Sequence, residues 1–148
     1  MSAQPSKPAP RGLLDTSVVV SLERVTPTQL PTEPAIAAMT LAELAAGPHA
    51  TDDDDERARR QDRLQRVEAV LDPLPFDAAA ARAYGRISAA TRARRHKPRG
   101  ARAVDLMIAA VALADDLPLF TCNPDDFEHL VRIGLELHVV ERSTATES

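Results

Sequence analysis

The hydrophobic positions along the chain change period several times, and each change marks a new element. Residues 101–114 read Ala-Arg-Ala-Val-Asp-Leu-Met-Ile-Ala-Ala-Val-Ala-Leu-Ala, apolar on nearly every side of a helical period. That pattern predicts a helix enclosed by the rest of the domain. Short apolar runs predict buried strands: Leu13-Leu14 ahead of Asp15, residues 35–39, residues 117–122 and residues 135–140, with room for one more short strand in the Pro-rich stretch 72–77. Between them lie helical patterns. A turn and short helix run to Arg24, and a second helix opens at Thr40 and ends near Gly47-Pro48. A charged helix from Asp52 carries the stripe Leu64, Val67, Val70 and Leu71, and an Ala- and Arg-rich helix over 78–95 puts Tyr84, Ile87 and Ala90 or Thr91 on one face. A short helix over 123–130 precedes the last strand. Strands alternating with helices predict an α/β fold whose mainly parallel sheet is covered on both faces. The polar ends, 1–11 and 141–148, read as tails around one domain over residues 12–140.

Composition narrows the setting. A chain of 148 residues without Trp builds one core from small aliphatic side chains. Cys122 is the only cysteine, so no internal disulfide forms and a reducing, cytoplasmic compartment is expected. The apolar run 13–22 contains Asp15 and follows a Pro-rich segment, unlike a secretory signal or a membrane span. A net charge of -4 argues against nucleic acid at first sight. Its distribution reverses that: no acid separates Asp77 from Asp105, while Arg82, Arg86, Arg92, Arg94, Arg95, Lys97, Arg99 and Arg102 crowd the interval. Such a strip is either a solvated basic face or the footprint of a phosphate backbone beside an acidic site, with Arg92, Arg94, Arg95, Lys97 and Arg99 as the expected phosphate contacts.

The acids supply the candidate chemistry. Asp105 interrupts the enclosed helix, and only Arg102 stands near enough along the chain to pair with it. A carboxylate in such a place takes up a proton, finds a cation or binds a metal. Asp15, Glu43 and Asp126 each follow a predicted strand, at the carboxyl edge where ligand sites of open α/β sheets collect. Each also has a local reading: Asp15 as a helix cap, Glu43 as the partner of Thr40 in a capping box, Asp126 in the first turn of a helix capped by Asn123. The run Asp52 to Glu56 is set aside, because acids followed by Arg57, Arg59, Arg60, Arg63 and Arg66 suit a solvated helix. Four carboxylates meeting in one cleft repel unless divalent cations compensate, and oxygen-only ligation suits Mg²⁺ or Mn²⁺. That combination serves phosphodiester hydrolysis, in which a carboxylate takes the proton of the attacking water.

At this point the residues resemble a known family. Leu-Leu-Asp15-Thr-Ser-Val, Thr40-Leu-Ala-Glu43-Leu, Val104-Asp105-Leu-Met-Ile-Ala-Ala-Val-Ala and Thr121-Cys-Asn123-Pro-Asp-Asp126-Phe are similar, in order and separation, to the motifs of PIN-domain ribonucleases, most of all the toxins of VapBC-type toxin–antitoxin pairs. The resemblance implies a three-layer α/β/α fold. It implies Asp15 and Asp105 as direct Mg²⁺ ligands, Glu43 and Asp126 completing the acidic pocket, and Thr16, Ser17, Thr40 and Asn123 in supporting positions. It further implies an endoribonuclease that inhibits translation by cutting tRNA or another structured RNA, forms a homodimer, and is silenced by a VapB-type antitoxin. The neighbouring Asp125 leaves two acids competing for the fourth position.

Rival classes fare worse. A haloacid-dehalogenase-like phosphatase needs a second carboxylate two residues after the first, where Ser17 stands. A response-regulator receiver needs a lysine late in the sheet, and Lys7 and Lys97 are the only lysines. The remaining alternative is a non-catalytic module of the same fold that binds RNA without cutting it. With few aromatic residues available for stacking, RNA shape is the expected basis of specificity.

Overall fold

The computed structural model describes residues 10–94 and 103–144. Among these residues one sheet has five strands: β1 (Arg11–Leu14), β2 (Glu33–Ala37), β3 (Pro73–Leu74), β4 (Leu119–Thr121) and β5 (Leu137–Val139). They lie in the order β3-β2-β1-β4-β5, and every pairing is parallel. Central β1 sets the register, with Leu13 opposite both Ala35 of β2 and Leu119 of β4. The chain therefore builds outward from β1 to one edge, returns, and builds to the other. The reversal falls between β1 and β4, which opens a crevice beyond their carboxyl ends.

Side-chain alternation along the strands explains the layers. Leu13, Ala37 and Leu119 enter one core, with Ala80, Ala83 and Ile87 of α4 (Ala78–Arg92) and Ile108 to Ala112 of α5 (Ala103–Ala114). Leu14, Ile36 and Phe120, one residue along, enter the other. There they meet Val18 and Val19 of α1 (Thr16–Val19), Leu44 of α2 (Ala38–Ala46), and Val67 of α3 (Asp54–Val70). The expected α/β/α sandwich is thus two apolar interfaces on either side of one parallel sheet. α5 is enclosed as its pattern predicts: Ile108 to Ala112 are each fully buried.

Several expected details differ. β2 spans Glu33–Ala37, two residues earlier than its apolar run, because pairing with β1 places Glu33 opposite Arg11 and Pro34 opposite Gly12. α2 consequently starts at Ala38, ahead of Thr40. The short helix expected after β4 is two 3-10 segments, Pro124–Asp126 and Glu128–Ile133. Val70, expected in the apolar stripe of α3, is 77% exposed, while Val67 and Leu71 are buried. α3 is otherwise the solvated helix expected, with Glu56 paired to Arg59 and Arg60. Gly12 has a steric reason: a Cβ there would collide with the Phe120 ring in the neighbouring strand.

Candidate active site

The first carboxylate is placed by the end of β1. Asp15 follows Leu14 directly, caps α1 by accepting from the Val18 N–H at 3.1 Å, and is only 5% exposed. The cap and the site are the same residue. Ser17 Oγ donates to Asp15 Oδ1 at 2.6 Å and itself accepts the Cys122 N–H at 3.0 Å. Fully buried Thr121 repeats this on the other side, bonded to the Asp15 carboxylate while its hydroxyl oxygen accepts the Asn123 N–H at 2.9 Å. Two hydroxyls thus tie the carboxylate to the backbone leaving β4. Burial nevertheless dominates and raises the Asp15 pKa above the ordinary carboxylate value, with the Asp105 charge adding to the rise and these hydrogen bonds opposing it.

α2 delivers the second carboxylate. With α2 capped by Ala37 and beginning at Ala38, Thr40 lies inside its first turn and makes no capping box with Glu43. Both side chains turn instead to α1. Thr16 Oγ1 donates to Glu43 Oε1 at 2.5 Å, and fully buried Thr40 stands 3.0 Å from the same Thr16 oxygen. Since the Thr16 proton is committed to Glu43, Thr40 is the donor to Thr16. Thr16 and Glu43 of this chain border a cleft of ≈ 280 Å³ also lined by Val20, Arg60 and Arg63.

Asp105 enters from the first turn of α5, half-buried, and Asp126 from the 3-10 turn after β4. Burial, then the charges of Asp105 and Asp125, raise the Asp126 pKa, and Arg94 opposes them. Asp105 therefore acts on both Asp15 and Asp126. Asp125 is exposed and Asp126 half-buried. Asn123 is exposed at the head of that turn, and its side chain makes no cap hydrogen bond, contrary to expectation.

Of the basic strip, Arg92 ends α4 exposed and Arg94 is half-buried against His129. Arg95, Lys97, Arg99 and Arg102 lie outside the described residues. Two residues carry contacts that the sequence did not announce, Thr121 in the site and His129 beside Arg94. Thr121 carried a faint signal, a polar residue closing an apolar strand; His129 carried none, because its partners are distant along the chain.

At the β1–β4 crevice the Asp105 charge raises the pKa of both Asp15 and Asp126, and oxygen donors of this kind suit a hard divalent cation. Among the described residues, no three His, Cys, Asp or Glu side chains stand close enough to enclose an ion as arranged.

Comparison with known proteins decides the family. The PIN domain pattern matches residues 12–133, most of the chain. The chain belongs to the PIN-domain family. Within that family it is 38% identical over 125 residues to Ribonuclease VapC5 of Mycobacterium tuberculosis (strain ATCC 25618 / H37Rv), a match covering 80% of this chain and 87% of the relative. The crystal structure of VapBC-5 from the same organism superposes with a TM-score of 0.71 at 34% identity, covering 89% of this chain and 98% of that one. VapBC2 of Rickettsia felis, solved with a DNA fragment from its promoter, matches at TM-score 0.68 and 22% identity over 88% of this chain and 99% of that one, a likeness of PIN fold. No helix among the described residues is long and apolar enough to cross a membrane.

Proposed function

We propose that this PIN-domain protein is a Mg²⁺-dependent endoribonuclease, the toxin of a VapBC-type pair, which hydrolyses RNA phosphodiester bonds and so inhibits translation. The observation that carries the reading is the nearly buried Asp15, held by donors from two strands' ends and facing the charge of Asp105, which also acts on Asp126. A structural role does not explain keeping repelling carboxylates at one crevice; a divalent cation does. Mn²⁺ has the same ligand preference.

Asp15 and Asp105 are the residues that would hold the ion, which when bound neutralises the carboxylates and polarises a phosphate oxygen. Thr16 orients Glu43 toward the cleft, and Ser17 and Thr121 fix the rotamer of Asp15. Asp126, with its raised pKa, is suited to take the proton of the attacking water as the phosphorus–oxygen bond to the leaving ribose breaks.

The VapBC-5 match, a toxin–antitoxin pair, supports a VapB-type partner for this chain. An apolar groove of ≈ 160 Å³ lined by Val19, Val20, Leu22, Val67 and Val70 adjoins the cleft, sharing Val20 and Arg63 with it. A partner segment lying there would reach the acids. A homodimer and a cytoplasmic location complete the proposal.

The test is cleavage of total cellular RNA by purified protein with Mg²⁺ or with EDTA, for the wild type and Asp15→Asn. Cutting that requires both Mg²⁺ and Asp15 is expected. The second reading, a non-catalytic RNA-binding module, draws on the spacing of the carboxylates. RNA binding that survives EDTA with no cutting selects it.

A further inference from the structure

The site as derived leaves one buried contact unused, between the end of α4 and the 3-10 segment Glu128–Ile133. His129 lies half-buried there with both ring nitrogens engaged: Nδ1 is 2.8 Å from Arg94 Nη1, and Nε2 is 2.8 Å from Thr91 Oγ1. Arginine has no acceptor, so Nδ1 accepts from it, which leaves the proton of the neutral ring on Nε2, donated to Thr91. The tautomer follows from the partner. Burial, then the Arg94 charge, lowers the His129 pKa and keeps the ring in that neutral form.

Arg94 is therefore not a freely solvated arginine. It is anchored three residues after Thr91, and its charge acts on Asp126, which precedes His129 by one turn. A guanidinium directed by an imidazole has further N–H donors to offer, in the planar fork that suits phosphate oxygens. It offers them beside Asp126, an acid of the candidate site.

We propose that His129 is a positioning residue that holds the Arg94 guanidinium on the Asp126 side of the candidate site, where Arg94 contacts a phosphate of bound RNA. The proposal rests on the nuclease reading for its substrate but not for its geometry. A merely structural tie between α4 and the 3-10 segment would use the Arg94 and Thr91 contacts alike. Positioning uses only the first.

Two isosteric replacements separate these. The amide oxygen of Asn reaches the position of Nδ1, so His129→Asn keeps an acceptor for Arg94 and gives up Thr91. The amide of Gln reaches the position of Nε2, so His129→Gln keeps Thr91 and releases Arg94. Binding of a labelled single-stranded RNA is measured in an Asp15→Asn background that cannot cut, and kcat and KM in the native background. His129→Gln and Arg94→Ala are each expected to weaken binding and lower kcat/KM on the order of tenfold, with the double variant no worse than either. Each is expected to flatten the slope of log K against log salt by about 0.7, as for one lost phosphate contact. His129→Asn is expected to retain most of both. Equal behaviour of the Asn and Gln variants, or an Arg94→Ala variant that binds and cuts as the wild type does, overturns the proposal. If His129→Gln does not fold, Arg94→Ala set against Thr91→Val gives the same contrast. A wild type that binds RNA but never cuts, with the same pattern of affinities, removes the nuclease reading and leaves this inference standing. A wild type that cuts normally beside an unimpaired His129→Gln does the reverse.

Discussion

Asp15 is held by three donors, the Ser17 and Thr121 hydroxyls and the Val18 N–H, yet its pKa remains raised because burial outweighs them. A carboxyl whose folded pKa lies above its unfolded one stabilises the fold when protonated and loses that contribution as pH rises through the folded pKa. At neutral pH without metal, Asp15→Asn is therefore expected to raise the midpoint of denaturant unfolding. The gain should vanish below the ordinary aspartate pKa of 3.8, where Asp15 is protonated in both states. Unfolding curves across that range check the sign, and RNA cleavage by the same variant should be lost. Thr121→Val probes the hydroxyl: it leaves the Asn123 N–H without its acceptor and Asp15 without a donor. A cost of about 1–3 kcal/mol in stability and about 10–100-fold in activity or metal affinity is expected, measured by urea unfolding and by cleavage rate.

Elements decide which residues can meet, and here the sequence informs unevenly. Periodicity alone located the enclosed helix α5, and the apolar run ahead of Asp15 located that residue at the end of β1. Local rules misled where long-range pairing sets a boundary. Thr40 and Glu43 have capping-box spacing, but β1–β2 register starts α2 early and turns both residues toward Thr16. Asn123 has capping chemistry, but its turn is 3-10 and the cap is unused. Val70 continues an apolar stripe in sequence and emerges into solvent in space. His129 and Thr121 were illegible or nearly so, because each acquires its role from a partner on another element. The fit of Gly12 beneath Phe120 belongs to this scale too. Gly12→Ala forces β1 and β4 apart at the strands that carry the site, and a loss of about 1–3 kcal/mol is expected on thermal or urea unfolding. Cleavage should fall with it, beyond what the lost folded fraction accounts for.

For the molecule as a whole, the reversal of strand order between β1 and β4 is what brings residues far apart in the chain to one crevice. If a divalent ion belongs there, it binds the folded state and stabilises it by about 2.7 kcal/mol at a hundredfold excess over Kd. A rise in Tm on adding MgCl₂, absent in Asp105→Asn, is the expected outcome. In EDTA the same variant should melt above the wild type, since the Asp105 charge raises the pKa of both Asp15 and Asp126. A substitution that kills activity and improves the apoprotein is the signature of a charge kept for function.

The hydroxyl bridges from Ser17 and Thr121 have one more consequence. They join the key carboxylate to the backbone beyond a neighbouring strand, so the same pairing that completes the sheet also sets the side chain. Completing the sheet therefore orients Asp15 in the same step. If the protein cuts RNA, folding alone poises that carboxylate, and a partner that restrains it has to act on a side chain already in place.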